Sequence, residues 1–141
     1  MNETIRKFGY PDTLVADYSH WCVLLRPAQP TLGSLVLAAR SEATAFGDLD
    51  PAAHAELAVV TRDIEAALRG LTDYAKLNYL MLMMVDPHVH FHVIPRYDGV
   101  RSNDGTDFRD AGWPKVPDLG SAIDLSADQV ASLVADLKRR W

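Results

Sequence analysis

Apolar positions in the first part of the chain fall into short runs separated by turn-forming residues. Residues 13–16, 21–25 and 34–38 are mostly or wholly apolar and short, which predicts strands. Pro27 and Pro30 interrupt the pattern after the second run, because proline is not tolerated inside a paired strand. The chain is therefore predicted to begin with a sheet.

One long segment has the spacing of an amphipathic helix. Asp50 suits the N-cap, Pro51 the first helical position and Gly70 the C-terminal cap. The spacing predicts a helix over 51–69 with one apolar face. That face is formed by Leu57, Val60, Ile64 and Leu68.

The second half of the chain alternates between apolar and polar stretches. The apolar run 76–85 is too short for its length to separate strand from helix, but its place between Gly70 and Pro87 favours a strand buried on both faces. The next strand is predicted to stop at Pro95. Residues 99–124 are rich in Gly, Asp and Pro without a period, which predicts a long loop of the kind that is often functional.

A capping box at Ser126 and Gln129 predicts a closing helix. Its inward face is formed by Val130, Leu133, Val134, Leu137 and Trp141. These elements together predict an α+β fold, with an antiparallel sheet of about five strands, one central helix and a C-terminal helix. We expect a single domain over 1–141, with its core in 13–96 and a C-terminal loop and helix in 97–141.

Composition narrows the class of protein. The 141 residues carry a net charge of −5, and the one basic cluster, 138–140, falls in the last turn of the predicted closing helix, where it complements the helix dipole. The single Cys22 excludes an internal disulfide and indicates a reducing compartment. We find neither a signal-peptide core nor a membrane-spanning run. We therefore expect a cytoplasmic protein that binds neither nucleic acid nor membranes.

Three of the five histidines lie at positions 88, 90 and 92. Side chains alternate along a strand, so these three rings are expected on one side and the intervening apolar residues on the other. Burying six ring nitrogens without partners is costly, which disfavours a purely structural role. The Cα atoms of His88 and His92 lie about 13 Å apart in an extended strand. Zinc needs contacts near 2 Å, so a metal site would have to borrow His20, His54 or carboxylates.

Nucleophilic catalysis at phosphorus uses all three rings. A neutral imidazole, with an ordinary pKa of about 6.5, is a good nucleophile near pH 7 and can form a covalent phosphoryl intermediate. Neighbouring imidazoles can hold its tautomer and donate to phosphate oxygens.

The segment 88–94, HVHFHVI, resembles the motif of the histidine triad family at every position. The following Pro95-Arg96 is common in the branch that hydrolyses dinucleoside polyphosphates. Upstream, residues 24–37 and 51–69 are similar to the family's strand, loop, glycine, strand and long helix. The resemblance extends over 13–96.

This resemblance implies specific roles. His90 would attack the α-phosphate and carry the nucleotidyl group, His92 would contact phosphate oxygens, and His88 would support the nucleophile. Asn78 lies one residue from the family's amide side chain that approaches the phosphate. The resemblance also implies a small nucleotide substrate and a homodimer, and we expect no metal or cofactor.

The chain departs from the family pattern just before the first histidine. Many members have Gln and Ser or Thr there, whereas this chain has Met84, Val85 and Asp86. Met and Val cannot hydrogen-bond a phosphate, and Asp86 would repel one unless it is protonated or bridged by a cation. Other phosphate ligands are then needed, and the candidates are Gln29, Thr31 and Arg96.

The sequence therefore predicts an enzyme that hydrolyses or transfers at the α-phosphate of a nucleotide conjugate, such as a dinucleoside polyphosphate or a nucleoside phosphoramidate. Two alternatives stay open: a nucleotide-binding module with little catalysis, and a metal-dependent enzyme using the histidine cluster. The base and the leaving group are not determined.

Overall fold

The computed structural model describes all residues, 1–141, and contains three α-helices and nine strands. The helices are α1 (Glu3–Lys7), α2 (Pro51–Thr72) and α3 (Ala127–Arg140). The strands are β1 (Leu14–Asp17), β2 (Trp21–Leu25), β3 (Ala28–Gln29), β4 (Leu35–Ala39), β5 (Lys76–Leu80), β6 (His90–Arg96), β7 (Val100–Asn103), β8 (Thr106–Arg109) and β9 (Ile123–Asp124). None of the helices combines the length and the apolar content needed to cross a membrane.

Five of the strands form one antiparallel sheet in the order β1-β2-β4-β6-β5. β2, β4 and β6 lie inside it, while β1 and β5 are its edges. β3 pairs with β9 and β7 with β8 in two small separate ladders. The predicted α+β fold, with an antiparallel sheet, a central helix and a C-terminal helix, is confirmed.

The two faces of the sheet are covered differently. The apolar stripes of α2 and α3 bury residues such as Ile64, Leu68 and Leu137 against one face, in a cluster of 20 buried residues. The opposite face carries a small cluster of five, in which Ile5 of α1 packs on Val36 of β4. That second face, covered only by a short N-terminal helix and its neighbours, is where a ligand could approach.

A strand is confirmed over 76–80, but its predicted extension to 85 and its predicted burial on both faces are wrong. β5 covers only Lys76–Leu80 and is a partly exposed edge strand. The chain then leaves the sheet, with Met83 in the left-handed region at φ 41°, and Met84 and Val85 are 82% and 83% exposed. Apolar composition misled the prediction because these side chains lie at a surface instead of in the core.

Two predicted boundaries also move. β6 continues through Pro95 to Arg96. The pairing of β6 with β4 ends at Val93, so Pro95 is paired with β5 alone. The missing N–H of the proline therefore interrupts no hydrogen bonds between β6 and β4. Helix α2 passes through Gly70 and ends at Thr72, and Asp73 caps it in the left-handed conformation at φ 49°.

The predicted loop over 99–124 contains a β-hairpin. β7 and β8 are joined by Asp104-Gly105, both with positive φ, which is the two-residue turn that matches strand twist. The Asp104-Gly105 pair is the sequence signal for this hairpin, and the prediction of a continuous loop did not take it into account. Helix α1 was also not predicted, because five residues are too few for a hydrophobic period to be recognised.

Candidate active site

Two of the three predicted histidines lie side by side in the middle of the sheet. His90 pairs with Ala38 and His92 with Val36, and both partners belong to the cluster on the α1 face. The two rings are 5.1 Å apart between centroids. His88 lies two residues before β6, outside the strand that was predicted to include it. The alternation along β6 therefore presents His90 and His92 away from α2.

Phe8, just after α1, covers these two rings. Its ring centroid lies 5.7 Å from that of His90 and 5.7 Å from that of His92. Asn2 holds this segment in place, since its side-chain amide donates to the carbonyls of Ala39 and Ser41 at 2.9 Å each. Together with the rest of the fold, this cover leaves His90 only 2% exposed and His92 only 7% exposed.

One hydrogen bond of the His90 ring determines its tautomer. Its Nδ1 lies 2.7 Å from the backbone carbonyl oxygen of His88. A carbonyl oxygen only accepts, so Nδ1 carries the hydrogen and donates it. In the neutral ring the lone pair is then on Nε2, the nitrogen that can act as a nucleophile.

His88 supports this arrangement through its own contacts. The hydroxyl of Thr4 accepts from the backbone N–H of His88 at 3.4 Å and lies 3.1 Å from Nδ1 of the ring, to which it can donate. The ring's Nε2 lies 3.3 Å from a carboxylate oxygen of Glu42. These contacts hold His88 at both ring nitrogens and at its N–H, and therefore fix the carbonyl that orients His90.

His92 is a neutral ring at physiological pH. Burial, followed by the positive charge of Arg26 and the neighbouring His90, lowers the pKa of His92 to about 4. Its Nδ1 is buried and has no hydrogen-bond partner in the protein. His92 can therefore contact a substrate oxygen as a neutral ring, not as a cation.

A small cavity of about 170 Å³ opens beside these rings. His90 and His92 form one side of it, and residues 82–86 form the other. Asp86 is part of that wall, but its carboxylate lies 2.6 Å from Nζ of Lys7. Asp86 was expected to need a bridging cation if a phosphate is to approach. Lys7 of α1 supplies that cation.

Arg96 and Asn78 are engaged elsewhere. Arg96 is 4% exposed, and its guanidinium donates to both carboxylate oxygens of Asp110, at 2.6 and 3.1 Å. It also donates to the side-chain oxygen of Asn78 at 2.8 Å and to the carbonyl of Lys115 at 2.7 Å. Neither residue lines the cavity beside His90. We leave both out of the proposed site.

Gln29 and Thr31 close the turn between β2 and β4. The amide of Gln29 donates to the carbonyls of Arg26 and Ser34 and accepts from the N–H of Gly33. The hydroxyl of Thr31 lies 3.1 Å from that of Ser34. Both are 1% exposed, and their polar atoms are engaged within the turn, so we leave them out as well.

Several residues of the site were not found from the sequence. They are Thr4, Lys7, Phe8, Arg26 and Glu42. The contact between Thr4 and His88 joins residues 84 positions apart, and no local pattern predicts such a pair. Asn2 followed by Glu3, with basic residues at 6 and 7, is a helix-capping pattern that could have indicated α1.

The histidines do not form a metal-binding cluster. No group of three or more His, Cys, Asp or Glu side chains in the chain is arranged to hold a metal ion.

Comparison with known proteins now identifies the family. Residues 11–99, more than half of the chain, match the family model described as the HIT domain. The chain belongs to the HIT family. No match is found among curated protein sequences.

Solved structures of other HIT proteins share the fold. A histidine triad protein from Bradyrhizobium japonicum is 24% identical, with a TM-score of 0.74 and coverage of 99% of this chain and 96% of that one. A histidine triad protein from Sinorhizobium meliloti is 21% identical, with a TM-score of 0.76 and coverage of 100% and 96%. The diadenosine triphosphate hydrolase of Plasmodium falciparum is 12% identical, with a TM-score of 0.65 and coverage of 92% and 76%.

Proposed function

We propose that this HIT protein hydrolyses or transfers at the α-phosphate of a nucleotide conjugate through a covalent nucleotidyl-His90 intermediate. The observation that carries the proposal is the 2.7 Å hydrogen bond from His90 Nδ1 to the carbonyl of His88, in a ring that also lines a cavity. It gives Nε2 the free lone pair that attack on phosphorus requires. Membership of the family and the likeness to a diadenosine triphosphate hydrolase support the same chemistry.

The reaction proceeds in two displacements. His90 Nε2 attacks the α-phosphorus, the bond from phosphorus to the leaving oxygen or nitrogen breaks, and the leaving group takes a proton from water. The ring becomes a cation that keeps its Nδ1 hydrogen bond to the His88 carbonyl, a contact that strengthens as charge develops. Water then attacks phosphorus, the Nε2–P bond breaks, and the nucleotide and a proton leave. In transfer, another nucleophile replaces water.

Covalent trapping tests this proposal. The protein is mixed with a dinucleoside polyphosphate or a nucleoside phosphoramidate, quenched in base, which preserves a phosphorus–nitrogen bond, and analysed by peptide mass spectrometry. We expect a mass increase of one nucleotidyl group on the peptide that contains His90, absent in His90→Asn. A label on His54, or product formed with no adduct at any quench time under single turnover, would contradict the mechanism.

A nucleotide-binding module with little catalysis is the second candidate. It is favoured by the cover that Phe8 places over His90, and by Met84 and Val85 where related proteins carry phosphate-binding side chains. The trapping experiment separates the two, since the module would bind nucleotide without forming an adduct.

We also propose that the protein is a homodimer. β5 is a free edge of the sheet, and it borders a cavity of about 600 Å³ formed with residues 113–117, where Val116 is 81% exposed. An exposed edge strand with adjacent apolar side chains is suited to pairing with a second copy. Sedimentation should give a mass near 31 kDa, about twice that of the 15.6 kDa chain, and Leu77→Pro in β5 should shift the protein toward monomer. A monomer at micromolar concentration would contradict this proposal.

A further inference from the structure

The guanidinium of Arg26 has no partner in the protein. Its Nη1 is buried and makes no hydrogen bond. Its backbone, in contrast, is firmly held, because its N–H donates to the carbonyl of Ser34 at 3.1 Å and its carbonyl accepts from the amide of Gln29 at 2.7 Å. The side chain is therefore fixed at its base, and at its charged end one nitrogen is shielded from water without a partner.

Other arginines of this chain that are shielded from water are satisfied. Arg96 donates to Asp110, to Asn78 and to a backbone carbonyl. Arg101 donates to the carbonyls of residues 72 and 73. No carboxylate forms an ion pair with Arg26. Arg26 is partly buried, and a cation that is shielded from water without a counter-ion is unfavourable, so such groups are usually paired. Arg26 is thus the exception among these arginines, and an anion that binds at its guanidinium would explain why it has no partner within the protein.

Arg26 does not line the cavity beside His90, but it lies on the same face of the sheet as the two histidines. It follows Leu24 by two residues, and Leu24 lies on the α1 face opposite Val36, which pairs with His92. The positive charge of Arg26 contributes to the low pKa of His92, so the two groups are close enough to interact. Nδ1 of His92 is the one other buried side-chain nitrogen or oxygen in the chain that lacks a partner. Two unsatisfied groups therefore lie on one face, beside the proposed nucleophile.

We propose that Arg26, together with His92, binds a phosphate oxygen of the substrate. This inference rests on the proposed function and names the ligand that Met84 and Val85 cannot provide. An oxyanion is the natural occupant because it can accept hydrogen bonds from both groups and neutralise the guanidinium. The guanidinium of Arg26 carries a full positive charge, so it favours an ionised phosphate more strongly than a neutral amide or hydroxyl side chain would. The preferred substrates are then nucleotide conjugates whose α-phosphate is anionic, over analogues in which a neutral methylphosphonate replaces it.

Binding of inorganic phosphate and of adenosine monophosphate, followed by NMR of the His92 ring, tests the inference without requiring catalysis. We expect Arg26→Met to weaken phosphate binding by about 10- to 100-fold, the range for hydrogen bonds to charged groups, and Arg26→Lys to lose less. Arg26→Met should also raise the pKa of His92, because a positive charge is removed. The same change at the exposed Arg62 should alter neither quantity. Replacing an unpaired, partly buried cation by an apolar side chain is expected to preserve folding.

The outcomes are distinguishable from those of the proposed function. Loss of phosphate binding in Arg26→Met, without any adduct on His90 in the wild type, would support Arg26 and contradict the enzyme. An adduct on His90 with phosphate binding in Arg26→Met within twofold of the wild type would overturn the role of Arg26. Wild-type protein that binds no phosphate at millimolar concentration would also overturn it.

Discussion

Replacing His90 with glycine should reduce nucleotide turnover by about four to six orders of magnitude, the range seen when a nucleophile is removed from an enzyme. The physical reason is the loss of Nε2, the nitrogen whose lone pair is left free by the 2.7 Å bond at Nδ1. The core face of β6 is unchanged, so the protein should remain folded. Steady-state and single-turnover rates measure the effect, and circular dichroism checks the fold.

His90→Asn is the matched variant for this experiment. Its side-chain amide can still donate to the His88 carbonyl, but it offers no nucleophilic nitrogen. Equal losses of rate in the Asn and Gly variants would assign the effect to chemistry, because packing against Phe8 and the local hydrogen bond differ between them. His54→Asn, far from the cavity, serves as the control. Turnover in either His90 variant within tenfold of the wild type would exclude His90 as the nucleophile.

Replacing Arg96 with methionine should lower the free energy of unfolding by about 3–5 kcal/mol, the cost of removing one partner from a buried ion pair. The side chain of Asp110 is 1% exposed and would be left as a buried, unpaired carboxylate. Asn78 and the carbonyl of Lys115 would lose their donors as well. Denaturant unfolding measures the change.

A double-mutant cycle separates this structural role from substrate binding. Asp110→Asn alone should also destabilise, and in combination with Arg96→Met the losses should be less than additive, because the second change removes a charge that the first left unpaired. The KM of folded Arg96→Met should stay within about twofold of the wild type, since Arg96 does not line the cavity beside His90. A large increase in KM with unchanged stability would restore Arg96 as a phosphate ligand.

The structure departs most from the sequence predictions at residues whose surroundings are not local. The run 82–85 has the composition of a core strand, yet it lines a cavity, and Leu82, Met84 and Val85 are exposed. Gln29 and Arg96 have the chemistry of phosphate ligands, but the fold engages their polar atoms in a turn and in a buried ion pair. The type of a side chain indicates which groups it can bind, but the tertiary structure decides which of those groups lies within reach.

The amino-acid sequence alone determined the strand and helix pattern around 13–96, the capping box of α3 and the alternation that aligns His90 with His92, because these depend on local spacing. Only the tertiary structure decided which groups surround those rings. Phe8, Thr4 and Lys7 come from the N-terminal segment and meet residues as many as 84 positions away, and Arg26 has no counter-ion among the side chains around it. Such contacts form because segments distant in sequence pack together, and the periodicity of the sequence does not predict them.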